Sequence, residues 1–201
     1  MSKSTEPKST ESKNLDIIDQ LVGIQPGSTV AELRARRPDV TLYAQSSYET
    51  LFAPADFAGL TLGERLLAAL RVATLEASQP LIAHYRPLLQ HSGAAPEVIA
   101  ALESDSDLAA FSSRQAAIVR HVDLLTLAPA SAAPEHLAAL QAEGLSTRNI
   151  VTLAQLIAFL SFQVRTVAAL ALFSEQHPAI SATANVARRD HEAKNSRPVQ
   201  Q

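Results

Sequence analysis

The segment from Asn149 to Phe173, NIVTLAQLIAFLSFQVRTVAALALF, constrains the fold more than any other part of the chain. Written as a helix, it is apolar on nearly every face. Its longest uninterrupted apolar run is too short to cross a bilayer, so no membrane span is predicted. The interruptions are Gln155, Ser161, Gln163, Arg165 and Thr166. Such a helix is buried in the centre of a domain or between subunits. We therefore predict a homo-oligomer, dimer or trimer-based, to which this helix contributes buried surface.

The composition predicts an all-α fold. Of the 201 residues, 36 are alanine and only 4% are aromatic. Alanine has the highest intrinsic helix propensity and leucine follows closely, whereas sheets favour β-branched and aromatic residues. No segment alternates between polar and apolar residues for long enough to indicate a strand. The length suits one compact, multi-helix domain.

Charge and cysteine content argue against several classes of function. The formal net charge is −3, so no basic surface for nucleic acid or an anionic membrane is indicated. The chain contains no cysteine, which excludes disulfides, and its six histidines are scattered, which argues against a zinc site. We expect neither a metal nor a cofactor.

The two ends of the chain differ in character from its centre. Residues 1–14 are polar, alternate in charge and lack the apolar core of a secretory signal, so a disordered tail and a cytoplasmic protein are expected. Residues 15–176 form the predicted domain. Residues 177–201 are expected to form a flexible tail, or an arm that docks on a neighbouring subunit.

Capping residues and prolines predict where the helices begin and end. Two capping boxes are predicted, one at Thr29 and Glu32 and the other at Thr61 and Glu64. Ser78 is expected to cap the next helix, and Pro87 to bend or break that helix before Gly93. Further helices are predicted over Leu15–Val22, from Thr29 to before Pro38, Val40–Phe52, Pro96–Leu102, from Ser112 or Ser113 to Leu127, Glu135–Glu143 and from Ser146 to about Phe173.

The stretch from Thr61 to Arg86, TLGERLLAALRVATLEASQPLIAHYR, resembles the signature of the alkylhydroperoxidase-D-like and carboxymuconolactone decarboxylase superfamily. In that family a helix with an early glutamate leads into a Cys-x-x-Cys-x-x-x-His helix. Counted back from His84, the two cysteine positions fall on Ala77 and Pro80. The thiol route by which the family's peroxidases reduce peroxides is therefore closed to this chain.

The resemblance also extends into the C-terminal half. Residues 144–173 are similar to the last helix of superfamily members, which carries a polar pair ending in arginine. Together with Phe111–Leu140, the similarity covers about two thirds of the chain and is strongest to a Cys-less branch described as carboxymuconolactone-decarboxylase-domain or peroxidase-related proteins.

His84 and Glu64 are the catalytic candidates that the resemblance implies. His84 stands where the family places its active-site histidine, and an imidazole pKa near 6.5 suits proton transfer; its alternative is a half-buried structural histidine. Glu64 corresponds to the family's proton-relay glutamate, although the capping box alone also explains it. Further candidates are Glu76, His91 and Arg71, which lies seven residues beyond Glu64 on the same helix face and could pair with it.

Arg165 stands out from the residues alone, because it falls among alanines, leucines and phenylalanines on the helical wheel. A guanidinium in such surroundings needs an anion. The candidates are a salt bridge to Glu64 or Glu76, and the carboxylate of a substrate. We expect Glu64, His84 and Arg165 to approach one another around a single cavity.

Three functions are consistent with these residues. One is a cofactor-free acid/base enzyme of lyase or isomerase type, acting on a small organic acid. Another is a catalytically silent helical oligomer, or a partner of a Cys-bearing relative. The third is a peroxidase-related antioxidant protein that would need a mechanism without thiols.

Overall fold

A computed structural model describes residues 16–104 and 108–176, with backbone alone for 174–176. This part of the chain contains nine α-helices and two short 3-10 turns, at 108–110 and 129–131, and no strand. The helices are α1 (Ile17–Val22), α2 (Thr29–Ala35), α3 (Pro38–Phe52), α4 (Leu62–Leu75), α5 (Gln79–His91), α6 (Pro96–Leu102), α7 (Ser113–Leu127), α8 (Pro134–Ala142) and α9 (Thr147–Gln176). The all-α prediction is therefore confirmed. The expected tails lie outside the described residues.

Helix α4 is the centre of the domain. Its nine consecutive residues Arg65 to Ala73 are all buried, because α5, α7 and α9 pack around it. A helix covered on all sides must be apolar all round or must satisfy its polar groups internally. The two buried arginines do so. Arg65 donates to three backbone carbonyls, that of Leu51 in the last turn of α3 and those of Phe57 and Leu60 in the α3–α4 connection.

The predicted helix starts are largely confirmed. Thr61 and Glu64 form the capping box of α4, with both reciprocal hydrogen bonds present. Ser112 caps α7, and the Ser146 hydroxyl accepts a hydrogen bond from the backbone N–H of Asn149. Ser28, one residue earlier than expected, caps α2.

Pro87 does not break α5, which was one of the two outcomes predicted for it. The helix runs without interruption from Gln79 to His91. Proline removes one intrahelical hydrogen bond and leaves the carbonyl four residues earlier without its donor. Pro87 and Ala83 both lie on the exposed face of α5, where water can satisfy that carbonyl.

Burial of α9 was expected in the domain centre or between subunits, and the domain centre covers only one of its faces. One face packs on the core through residues such as Leu153, Leu156 and Leu160. The opposite face is exposed, at Val151, Gln155, Ala158, Phe162, Arg165, Ala169 and Leu172. By length and composition alone, Thr147–Phe173 meets the criterion for a membrane-spanning helix, as core helices of soluble proteins also do.

Candidate active site

His84 is presented by a tight connection between α4 and α5. The backbone N–H of Ser78 donates to the carbonyl of Ala73, and that of Ala77 to Thr74, which is the hydrogen-bond pattern of a Schellman motif. Ala77 occupies its left-handed position with φ of 51°. The motif reverses the chain within three residues, so α5 packs closely along α4 and places His84 in its second turn.

The partner of His84 is a tyrosine from α3. The Oη of Tyr48 and the Nε2 of His84 are 3.1 Å apart, within hydrogen-bonding distance. Both side chains are half-buried, so the pair is reachable from outside. Aromatic rings surround it: Phe52 lies 5.0 Å from Tyr48, and Tyr85 meets the imidazole edge-on at 4.8 Å. The Nδ1 of His84 has no hydrogen-bond partner among the described residues.

Burial keeps both members of this pair uncharged. Desolvation lowers the pKa of His84 below its usual 6.5, because burial disfavours the imidazolium. Desolvation also raises the pKa of Tyr48 above 10, because burial disfavours the phenolate. At neutral pH the site therefore contains a neutral imidazole that can accept a proton and a phenol that can donate one.

A buried hydrogen bond supports the pair from behind. Tyr85, the neighbour of His84 in sequence, is fully buried and donates to the Oε1 of Gln163 at 2.6 Å. Its ring stacks on Phe52 at 5.2 Å. This contact fixes α5 against α9, and with it the rotation of α5 that directs His84 towards Tyr48. The amide Nε2 of Gln163 is buried and has no hydrogen-bond partner in the described part of the chain.

Glu64 lies at the far end of the α4–α5 pair, and both of its carboxylate oxygens are engaged in contacts that hold the fold together. Its Oε2 accepts from the backbone N–H of Thr61 at 2.8 Å, and its Oε1 pairs with the Nε of Arg114 at 2.5 Å. The start of α4 lies near Ser92, at the end of α5. His84 lies eight residues earlier, about 12 Å along the helix at 1.5 Å per residue. The geometry therefore supports the capping alternative, and a relay role for Glu64 gains no support.

The expectation that Glu64, His84 and Arg165 surround one cavity is wrong within one chain. Arg165 is exposed and makes no ion pair with any described residue. The helical wheel failed here because the apolar residues around Arg165 belong to the face of α9 that the core leaves uncovered. The salt bridge from Arg165 to Glu64 or Glu76 is accordingly not formed within the chain.

None of the remaining candidates makes a hydrogen bond or ion pair with Tyr48 or His84. Arg71 pairs with Asp123 through two contacts of 2.7 and 3.0 Å and not with Glu64. Glu76 is the C-cap of α4. His91 is exposed, and its Nδ1 lies 2.6 Å from the carbonyl of Pro87.

Sequence reasoning missed Tyr48, Tyr85 and Gln163. The contact between Tyr48 and His84 joins positions 36 residues apart, which no local pattern reveals. One signal was available, since Tyr48 and Phe52 stand one helical turn apart on α3 in a chain with only three tyrosines.

Two solved structures share the architecture built around this site. One is described as an alkylhydroperoxidase AhpD core, an uncharacterized peroxidase-related protein from Ralstonia eutropha JMP134. It has a TM-score of 0.62 and 19% identity, over 70% of this chain and 73% of that one. The other is an uncharacterized peroxidase-related protein from Silicibacter sp. TM1040, with a TM-score of 0.63 and 19% identity, over 85% of this chain and 93% of that one.

The chain has the alkylhydroperoxidase-D-like fold. The resemblance seen in Thr61–Arg86 is thus confirmed at the level of the fold. No family model and no curated protein matches the sequence. Fold alone does not determine chemistry, so the function has to be argued from the site.

Proposed function

We propose that this alkylhydroperoxidase-D-like protein is a cofactor-independent acid/base enzyme of lyase or isomerase type, acting on a small organic molecule. The observation that carries the proposal is the hydrogen bond between Tyr48 and His84 at a half-buried site. A neutral imidazole, held in one tautomer by a neighbouring phenol, is a suitable base for proton abstraction next to a carbonyl.

In this proposal the free Nδ1 of His84 is the atom that accepts a proton from the substrate. With its proton on Nε2, His84 donates to the Oη of Tyr48, and Nδ1 is left as an acceptor. Nδ1 takes a proton from a carbon adjacent to a substrate carbonyl and the ring becomes an imidazolium, while Tyr48, hydrogen-bonded to Nε2 on the opposite side of the ring, holds the tautomer that leaves Nδ1 free. Return of the proton to another carbon gives an isomerase, and departure of a leaving group gives a lyase.

The surroundings of the pair favour a substrate whose reacting end is uncharged. The rings of Tyr48 and His84 pack against the aromatic rings of Phe52 and Tyr85. A substrate carboxylate, as first expected, needs a cation nearby, and Arg165 of the same chain lies on the exposed face of α9. An acid substrate would therefore direct its carboxylate away from the pair, or towards a neighbouring subunit.

A catalytically silent oligomer, or a partner of a Cys-bearing relative, is the second candidate. Two observations favour it. The Glu64 carboxylate is already engaged by Thr61 and Arg114, and Arg165 makes no hydrogen bond or ion pair with His84. The third candidate is a peroxidase-related antioxidant, and both structural neighbours are described as peroxidase-related proteins. It lacks a chemical basis in thiols, since the chain has no cysteine.

Proton exchange in deuterated water tests the proposal without knowledge of the natural substrate. A panel of small ketones, keto acids and enol lactones is incubated with the protein, and deuterium incorporation is followed by NMR. We expect incorporation into at least one compound class, lost by about 10²-fold or more in His84→Gln and reduced in Tyr48→Phe. His91→Gln, an exposed histidine on the same helix, is the matched control. Equal rates in wild type and His84→Gln, or no exchange with any compound, would favour the silent oligomer.

A further inference from the structure

A concave surface on the domain shares no residue with the Tyr48–His84 pair. It is a groove of about 320 Å³ between α2, the first turn of α3 and the end of α9. This volume is at the lower end of the range of small-molecule sites, about 300–1,000 Å³. The groove is lined by Val30, Leu33, Arg34, Arg37, Val40, Thr41, Leu170 and Phe173.

The apolar walls of the groove are largely uncovered. Leu33, Val40 and Phe173 are 49%, 51% and 53% exposed. Three large apolar side chains from three different helices thus converge on one depression while each keeps about half of its surface in water. Contiguous apolar surface of this kind marks a binding site more often than scattered exposed residues do. Its shape, an open trough, suits a single flexible chain better than a rigid ring system.

The rim of the groove carries one uncommitted positive charge. Arg34 is held by two carboxylates, with contacts of 2.6 Å to Asp16 and to Asp19, so its charge is already balanced. Arg37 is exposed and makes no hydrogen bond or ion pair through its side chain within residues 16–104 and 108–176. A guanidinium at the edge of an apolar trough complements a carboxylate, which it can bind through two parallel hydrogen bonds.

We propose that this groove binds the anion of a single-chain aliphatic carboxylic acid of medium length, with the chain along Leu33, Val40 and Phe173 and the carboxylate on Arg37. The apolar walls supply most of the affinity by burying methylene groups. Arg37 supplies the preference for an anionic head.

Decanoate, below its micelle concentration, is the probe. We expect saturable binding of one decanoate per chain by titration calorimetry, with a rise in melting temperature as the concentration increases. Decyltrimethylammonium, which has the same tail and the opposite charge, should bind at least about 10-fold more weakly, because the charge-assisted hydrogen bonds are lost. Acetate, which has the head group alone, should not bind measurably.

Variants locate the site. Arg37→Gln should weaken decanoate binding at least about 10-fold, whereas Arg36→Gln, the adjacent exposed arginine outside the groove, should leave it unchanged. Phe173→Ser tests the apolar wall at an exposed position, so the fold is expected to persist. Equal affinity of both arginine variants would overturn the proposal. Binding to anionic vesicles without binding of free decanoate would also overturn it. A third contrary result would be a dimer that forms equally well with and without decanoate and that Phe173→Ser disrupts, because the groove would then be a contact between two copies of the chain.

Discussion

Ala77 is one of two alanines, with Ala58, whose backbone has a positive φ in the described part of the chain. It holds the left-handed position of the α4–α5 turn, where glycine is the usual occupant. A non-glycine residue in that conformation costs about 1–2 kcal/mol. Ala77 is exposed, so its methyl group contributes little packing in return.

Ala77→Gly is therefore expected to stabilise the protein. Relief of the strain outweighs the extra chain entropy of glycine, about 0.5–1 kcal/mol, and leaves a net gain of about 0.5–1 kcal/mol in the free energy of unfolding. The control is Ala83→Gly, at an exposed position within α5, which should lose about that amount. Denaturant unfolding measures both. A destabilised Ala77→Gly protein would show that the turn is not held as described.

Two histidines make the stability of the fold depend on pH. Burial lowers the pKa of His84 and of His121, and the nearby His136 lowers that of His121 further. The unfolded chain then binds more protons than the folded one as pH falls below about 6.5. The free energy of unfolding should decrease with acidification from that pH downwards, until it passes the lowered pKa values. His121→Gln should flatten the dependence, and an unchanged slope would contradict the assignment.

The Tyr48–His84 pair also shows why residue-scale prediction from sequence was incomplete. His84 was identified because the continuous stretch Thr61–Arg86 resembles a family signature, which is a local pattern. Its partner lies on another helix, and only the packing of α3 against α4 and α5 brings the two together. Arg165 illustrates the reverse case. The helical wheel placed it correctly among apolar residues, but whether that face of α9 is buried depends on which helices cover it.

At the scale of elements, capping chemistry predicted helix starts well. A Ser or Thr followed three residues later by Glu or Gln can satisfy backbone N–H groups at a helix start. Such capping boxes form at Thr61 and Ser112, whereas the one predicted at Thr29 does not, because Ser28 caps α2. Pro87 shows the limit of local rules. The free energy lost through its missing hydrogen bond depends on whether water reaches the carbonyl of Ala83, and only the packing of α5 decides that.

Substitutions at Glu64 separate its two structural roles. Glu64→Gln keeps an oxygen acceptor for the Thr61 N–H but loses the charge that pairs with Arg114, whereas Glu64→Ala loses both. We expect Glu64→Ala to lower the free energy of unfolding by about 1–3 kcal/mol and Glu64→Gln to lower it by less. Thermal and denaturant melts measure the difference. Equal losses would mean that the cap contributes nothing.

At the scale of the whole molecule, the uncovered face of α9 supports the predicted homo-oligomer, which we retain as a proposal. Exposed residues recur along it at alternating intervals of four and three: Val151, Gln155, Ala158, Phe162, Arg165, Ala169 and Leu172. This spacing matches that of two long helices packed side by side. The cytoplasmic location likewise stays a prediction.

The oligomer is tested through Phe162. Phe162→Glu places a charge in the middle of the exposed face and should shift the mass measured by light scattering towards the monomer, because an unpaired charge is costly to bury. Arg120→Glu, at an exposed position on α7, is the control. A monomeric wild-type protein at micromolar concentration would remove the proposal, and a Phe162→Glu protein of unchanged mass would place the interface elsewhere.

The central claim is that Tyr48 and His84 form a neutral acid/base pair with Nδ1 as the free acceptor. Nitrogen chemical shifts of the His84 ring, followed across pH in wild type and in Tyr48→Phe, test it most directly. The account predicts a neutral ring at neutral pH, protonated on Nε2, with a titration midpoint below 6.5 and a shift of the Nε2 signal in Tyr48→Phe. A ring protonated on Nδ1, a midpoint at or above 6.5, or spectra identical in the two proteins would contradict it.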